Sequence, residues 1–253
     1  MTVLSSKDNP KVKHWAKLAG DPHYRAEQRR ALIEGPHLLE AFQQAGFRPK
    51  AVLVTEKALR RKDVAALAGK APTLVTESVF RSIVEAENPP GIAAEIEIPV
   101  RAAAGDDVVF LEGVQDPSNV GAIVRNAAAF GIGKVVLDAA CADPWSPRAL
   151  RAGMGGHFAV AIREVPKLDL ADFGGTLLCT VVRGGSRLQE VDFKGAIGWI
   201  FGGEGRGVSV ETERRVNVKV SIPMSPGMES LNVAGASAIC LYERFSRSCD
   251  TRS

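Results

Sequence analysis

From residue 107 onward the chain repeats one pattern: a short apolar run rich in Val, Ile, Leu and Phe, then a loop of Gly, Pro, Asn or Ser. The runs fall at 107–111, 134–137, 176–182, 197–201 and 216–222, with helical periodicity at 118–130 and 231–245. Strands with few polar interruptions need cover on both faces, and their alternation with helices predicts a mainly parallel sheet of α/β class. Such sheets bind ligands beyond the carboxyl ends of their strands, so the loops that follow the apolar runs are where chemistry is expected.

The first 98 residues carry a smaller version of the alternation. Pro10, Val12, Trp15 and Leu18 mark a short basic amphipathic helix, strands are predicted at 30–34, 51–55, 73–76 and 92–98, and helices lie between them. Asn88-Pro-Pro-Gly91 is a turn signal, and the Ala-rich stretch 99–106 reads as a linker. The expected organisation is a basic helix plus a small α/β domain at 1–98, the linker, and a second domain at 107–253.

Charge is uneven along this layout. Residues 1–61 hold 12 Lys/Arg against 6 Asp/Glu, a balance of +6, whereas the whole chain carries only +3. A basic end beside a near-neutral body fits a polyanion such as RNA, or equally a solvated helix face. The N-terminus lacks an apolar signal core, and the weakly polar stretch 230–242 is too short to span a bilayer, so a cytoplasmic protein without a membrane partner is expected. Cys141, Cys179, Cys240 and Cys249 show no Cys-x-x-Cys spacing, which argues against a metal site and for core or incidental thiols.

Three loops stand out. After the strand at 107–111 comes Glu112-Gly-Val-Gln-Asp-Pro-Ser-Asn119-Val-Gly-Ala-Ile-Val-Arg125. Pro117 and Ser118 start a helix, which puts Asn119 in its first turn. Six residues at about 100° each set Arg125 on a different side of that helix. Gly202-Gly-Glu204-Gly-Arg206-Gly207 follows the strand at 197–201; its glycines alternate, so it is neither a dinucleotide fingerprint nor a P-loop. Ile222-Pro-Met-Ser-Pro-Gly-Met-Glu-Ser230-Leu-Asn232 follows the last strand, and Ser230 or Asn232 can cap the next helix. Taken singly, each loop has a plain structural explanation.

In order and wording the three loops resemble the SpoU/TrmH family of RNA ribose 2′-O-methyltransferases, in the SPOUT superfamily. The resemblance covers about 107–247, and residues 30–98 look like the family's N-terminal RNA-binding domain. It implies a C-terminal sheet containing a deep trefoil knot, a homodimer whose active sites draw on both chains, and S-adenosylmethionine as cofactor. Carried over by motif, Gly202, Gly203, Gly205, Ile222, Met224 and Leu231 would bind the cofactor. Asn119, Arg125, Glu204, Ser230 and Asn232 would form the catalytic set. Arg125 matches the family's proposed base; because a guanidinium stays protonated, a grip on an RNA phosphate that steadies the developing alkoxide is the more conservative role. Asn119 would then hydrogen-bond the ribose or the arginine, and Glu204 would orient Arg125 or hold the glycine loop. The implied substrate is ribosomal RNA of the 23S type. The alternatives are transfer RNA 2′-O-methylation, or a non-catalytic RNA-binding member of the fold. Gly235 departs from the family pattern, which more often has a larger residue there.

Overall fold

The computed structural model describes residues 3–250. The chain divides into two compact units. One runs up to Pro99 and takes in Asp143–Phe158; the other comprises Val100–Ala142 and the chain from Ala159 on.

In the first unit a four-stranded sheet has the order β1 (Arg30–Glu34), β4 (Ile92–Glu97), β2 (Ala51–Thr55), β3 (Thr73–Val75). β4 is antiparallel to both its neighbours, and β2 and β3 are parallel. Between and before the strands run the helices α2 (Pro22–Gln28), α3 (Pro36–Gln44), α4 (Glu56–Leu59), α5 (Lys62–Ala68) and α6 (Glu77–Arg81). Helix α1 (Pro10–Gly20) starts where the Asn9 side chain accepts from Lys11 N, and it buries Val12, Trp15 and Leu18 against Leu32, Leu53 and Phe80. Its polar anchor is Glu95, 5% exposed, which accepts from the Trp15 indole at 2.9 Å and pairs with Arg30 and His14. Burial raises the Glu95 carboxyl, but these three partners outweigh it and the net shift is downward.

Residues 143–158 belong to this unit although the sequence pattern places them after a strand of the second. Arg25 is buried and binds Asp143 at 2.7 Å together with the Leu18 and Ala19 carbonyls. Helix α8 (Pro147–Gly153) presents Arg151 to Glu34 at 3.0 Å and Glu85 at 3.6 Å. Arg151 is thereby committed to an internal ion pair. His157 is 1% exposed beside Trp145, and neither ring nitrogen has a well-formed hydrogen bond. Burial pushes its imidazole down to about 4, against a weak opposing contribution from the Pro144 backbone.

That burial is expected to cost the first unit stability as pH falls. Free imidazole in the unfolded chain titrates near 6.5, so between there and about 4 the unfolded chain binds the extra proton and stability drops as pH falls. The loss reaches about 3 kcal/mol at the lower end. Urea midpoints for wild type and His157→Leu, measured from pH 7.5 to 4.5, should shift against each other, with wild type losing ground to the leucine variant as pH falls; parallel curves would contradict this.

The second unit is built on a sheet of seven parallel strands. Its order is β7 (Ala161–Val165), β6 (Lys134–Asp138), β5 (Val108–Glu112), β10 (Ile197–Gly202), β8 (Thr176–Thr180), β11 (Val218–Ser221), β9 (Ser186–Arg187). Alternate residues feed two cores. Val109, Leu111, Trp199 and Phe201 pack with Val120, Ile123 and Val124 of α7 (Pro117–Ala129) and Cys240 and Leu241 of α10 (Val233–Asp250). Val108, Phe110, Ile200 and Cys179 pack on the other face with Leu168 and Leu170. Strands covered on both sides are why the sequence shows unbroken apolar runs. β7 and β9 escaped that pattern: β7 is an edge strand with Arg163 and Glu164 exposed, and β9 has only two residues. From β5 the chain builds outward to β6 and β7, then crosses to the other side for β8, so the order reverses around β5, β10 and β8. Among the described residues no helix is long and apolar enough to cross a membrane, and no group of three metal-ligating side chains exists.

Candidate functional site

At the carboxyl end of β5 the backbone turns into α7 through Asp116, whose side chain accepts from Ser118 N at 2.8 Å, with Pro117 in the first turn. This sets Asn119 facing the loop after β10. Its Nδ2 donates to Glu204 Oε1 at 2.5 Å, and Glu204 Oε2 accepts from Gln115 N at 3.3 Å. Asn119 Oδ1 in turn accepts from Asn232 Nδ2 at 3.0 Å. Asn232 Oδ1 caps α10, accepting from Ala234 N and Gly235 N at 2.9 and 3.2 Å. One hydrogen-bonded chain, Glu204–Asn119–Asn232, therefore ties all three motif loops together. Partial burial raises the Glu204 carboxyl, but the Asn119 amide and the backbone N–H groups of Glu204, Gln115 and Asp116 outweigh it and hold it low. Glu204 is a carboxylate at neutral pH.

The loop after β10 folds back on itself. Gly203 N donates to Glu112 O, and Gly207 N donates to Gly203 O, both at 2.9 Å. A Cβ on Gly202 would lie 2.0 Å from Gly207 C and 2.2 Å from Val208 N, so the hairpin closes only over a glycine.

Beside this network lies a cavity of ≈ 540 Å³. Apolar walls come from Val181, Ile222, Met224 and Leu231; the lining also holds Glu204, Glu229, Arg206 and Glu213, the last paired with Lys219 at 2.8 Å; the glycine loop offers backbone groups. The volume is ordinary for a small-molecule site. The cavity opens where the ends of β8, β10 and β11 meet, next to the reversal of strand order, which is where a parallel sheet is expected to hold its ligand.

Gly202, Gly203, Gly205, Ile222, Met224 and Leu231 all line this cavity, as do Glu204, Ser230 and Asn232. Asn119 joins through its hydrogen bonds. Arg125 does not: it is exposed on α7, outside the lining, with no hydrogen bond or ion pair to any described residue. Glu204 therefore holds Asn119 and the Gln115 backbone, and Arg125 is left for something outside this arrangement. Three contributors went unseen in the sequence. Gln115 acts through its backbone, which no side-chain pattern reveals. Asp138 Oδ1 accepts from Gly113 N at 3.0 Å and, with Cys141, braces the first motif loop. Glu112 binds partners about a hundred positions away. Burial pushes the Cys141 thiol up to about 12, so it serves as a braced, unreactive thiol.

Two family models match the chain: the SpoU rRNA Methylase family over residues 107–242 and the MRM3-like substrate binding domain over residues 9–94. The 23S rRNA (guanosine(2553)-2'-O)-methyltransferase RlmP of Bacillus subtilis is 32% identical over 250 residues, covering 96% of this chain and 98% of that protein. A 23S rRNA (guanosine-2'-O-)-methyltransferase, RlmB, from Xanthomonas campestris is 36% identical over 155 residues, or 59% of this chain and 62% of its own. Among solved structures, an AdoMet-bound rRNA methyltransferase from Sinorhizobium meliloti superposes with TM-score 0.82 at 27% identity, covering 97% of this chain and 98% of that one. An RNA 2'-O ribose methyltransferase superposes with TM-score 0.83 at 26% identity, covering 98% and 100%. With the fold, the three joined loops and these matches in agreement, the chain belongs to the SpoU rRNA methylase family.

Proposed function

We propose that the protein transfers the methyl group of S-adenosylmethionine to a ribose 2′-hydroxyl of ribosomal RNA of the 23S type. The observation that carries this reading is the cavity walled by the loops after β8, β10 and β11 and fastened to the first motif loop through Asn119. Its chemistry fits the cofactor: apolar walls for a purine, backbone groups from the glycine loop, and carboxylates toward a positively charged sulfonium and amine. When bound, S-adenosylmethionine supplies an activated methyl; the chain's own residues must orient the acceptor and manage its proton. Holding two reactants in register is the largest contribution such a site can make.

Asn119, fixed from both sides by Glu204 and Asn232, is a rigid element at the mouth of the site. Arg125 is the cation for the RNA: its fork matches a phosphate bidentately and steadies negative charge developing on the ribose oxygen. Because it stands outside the lining of its own chain's cavity, we infer that it serves the site of a second copy. The surface for that copy is apolar. Ile239, Tyr242 and Phe245 on α10 are 41%, 57% and 40% exposed, and Phe130 at the end of α7 packs beside Tyr242 and Phe245. The trefoil knot belongs to the same reading, as does a cytoplasmic location. The basic N-terminal unit, matched by a substrate-binding family model, grips the RNA.

Mapping 2′-O-methyl groups in ribosomal and transfer RNA, from cells with and without the protein, tests the substrate. Loss of one site in large-subunit ribosomal RNA is the expected result; loss confined to transfer RNA overturns the choice.

A further inference from the structure

We propose that Glu112 is a positioning residue that clamps both stems of the glycine loop and so keeps the cofactor cavity in its binding shape. The inference rests on the cofactor reading given above. Glu112 closes β5, paired in register with Gly202, the last residue of β10. Its backbone oxygen accepts from Gly203 N at 2.9 Å, which fixes the outgoing stem of the loop. Its carboxylate takes the returning stem. Oε2 accepts from Ser209 N at 2.9 Å, and Oε1 accepts from the Ser209 hydroxyl at 2.8 Å and the Thr212 hydroxyl at 2.9 Å.

One residue thus holds both ends of a segment that otherwise relies on Glu204 at its tip and one internal bond, Gly207 N to Gly203 O. The segment from Gly203 to Val208 lines the cavity throughout, whereas Glu112 does not. A six-residue loop with glycine at Gly203, Gly205 and Gly207 has much conformational freedom to lose, and every bond that fixes it beforehand is reflected in the affinity of whatever it cradles. Charge-assisted hydrogen bonds of this length are the stronger kind. Thr212, 6% exposed, has its hydroxyl inside the cluster, which makes the arrangement a specific one.

The test is titration calorimetry of the purified protein with S-adenosylmethionine, alongside thermal melts and steady-state kinetics. Glu112→Ala should weaken cofactor binding about tenfold or more, equivalent to about 1.4 kcal/mol. Its KM for RNA should stay within about twofold of wild type, because the groups assigned to gripping the RNA, the N-terminal unit and Arg125, lie outside the clamp. Glu112→Gln should restore most of the affinity: its carbonyl can take Ser209 N, and its amide can donate to hydroxyls that turn round to accept. A general structural role would not give that split between cofactor and RNA, nor the rescue. Glu112→Ala binding as tightly as wild type overturns the proposal. So does Glu112→Gln failing as badly as alanine, or a loss of affinity for cofactor and RNA alike. If wild type itself fails to bind S-adenosylmethionine, it is the cofactor reading that fails.

Discussion

Arg125→Ala is expected to lower turnover by about a hundred- to a thousandfold while leaving S-adenosylmethionine affinity within about twofold of wild type. On the role proposed for Arg125, the size follows from removing a cation that meets charge developing only in the transition state. The selectivity follows from position, since Arg125 is exposed and outside the cofactor cavity. Arg125→Lys separates its two possible tasks. A lysine can lose its proton but cannot offer a planar fork, so a variant as inactive as alanine marks a phosphate grip. Measurable turnover with a shifted pH profile would mark a base. Mixing two inactive chains tests which copy Arg125 serves. If it acts across the dimer, Arg125→Ala combined with a variant that cannot bind cofactor regains activity, because one of the two sites in the mixed dimer is intact. If it acts within its own chain, no mixed site is whole and the mixture stays inactive.

Gly202→Ala is the second large effect, and it should be opposite in kind. A methyl at this position meets backbone atoms at 2.0–2.3 Å, which no side-chain rotation relieves. The hairpin through Gly207 has to open, and with it the wall of the cavity. Cofactor affinity should fall about a hundredfold, on top of an overpacking cost of about 1–3 kcal/mol in stability, with a cooperative melt retained. Gly235→Ala is the matched control. That glycine is helical, nothing lies within 4 Å of its added carbon, and removing a helical glycine typically gains about 0.5–1 kcal/mol. Calorimetry showing Gly202→Ala within threefold of wild type would falsify the structural role given to the loop.

The contrast between these two residues shows what the chain reveals on its own. The strands of the second unit are legible because burial on both faces leaves runs such as Val108–Leu111 almost free of polar residues. The glycine loop is legible because it follows one of those runs. The meeting of the loops is not. Asn119 is 85 positions from Glu204 and 113 from Asn232, and only the strand order brings them within hydrogen-bonding distance. Helix periodicity does separate Asn119 from Arg125, and the structure holds the first in a polar network while leaving the second exposed. Periodicity says nothing about what Asn119 touches, so Glu204 could as well have been paired with Arg125. The clamp at Glu112 was hidden for the same reason: an acid at the end of a strand has no local signature, and its partners are Gly203 in the glycine loop and Ser209 and Thr212 at the start of α9 (Val210–Arg215), about ninety to a hundred positions away. Likewise nothing local announces that residues 143–158 pack with the first unit; the signal is a set of ion pairs, Arg25–Asp143 and Arg151–Glu34, between residues more than a hundred positions apart.

Whether the methyl reaches ribose is decided by the chemistry of the product. Purified protein would be incubated with ribosomal RNA and S-adenosylmethionine labelled in its methyl group, and the RNA hydrolysed with alkali. A methylated 2′-oxygen cannot attack its neighbouring phosphate, so label is expected in an alkali-resistant dinucleotide, reduced about a hundredfold or more in rate with Arg125→Ala. Label released in mononucleotides would place the methyl on a base, and contradict transfer to ribose.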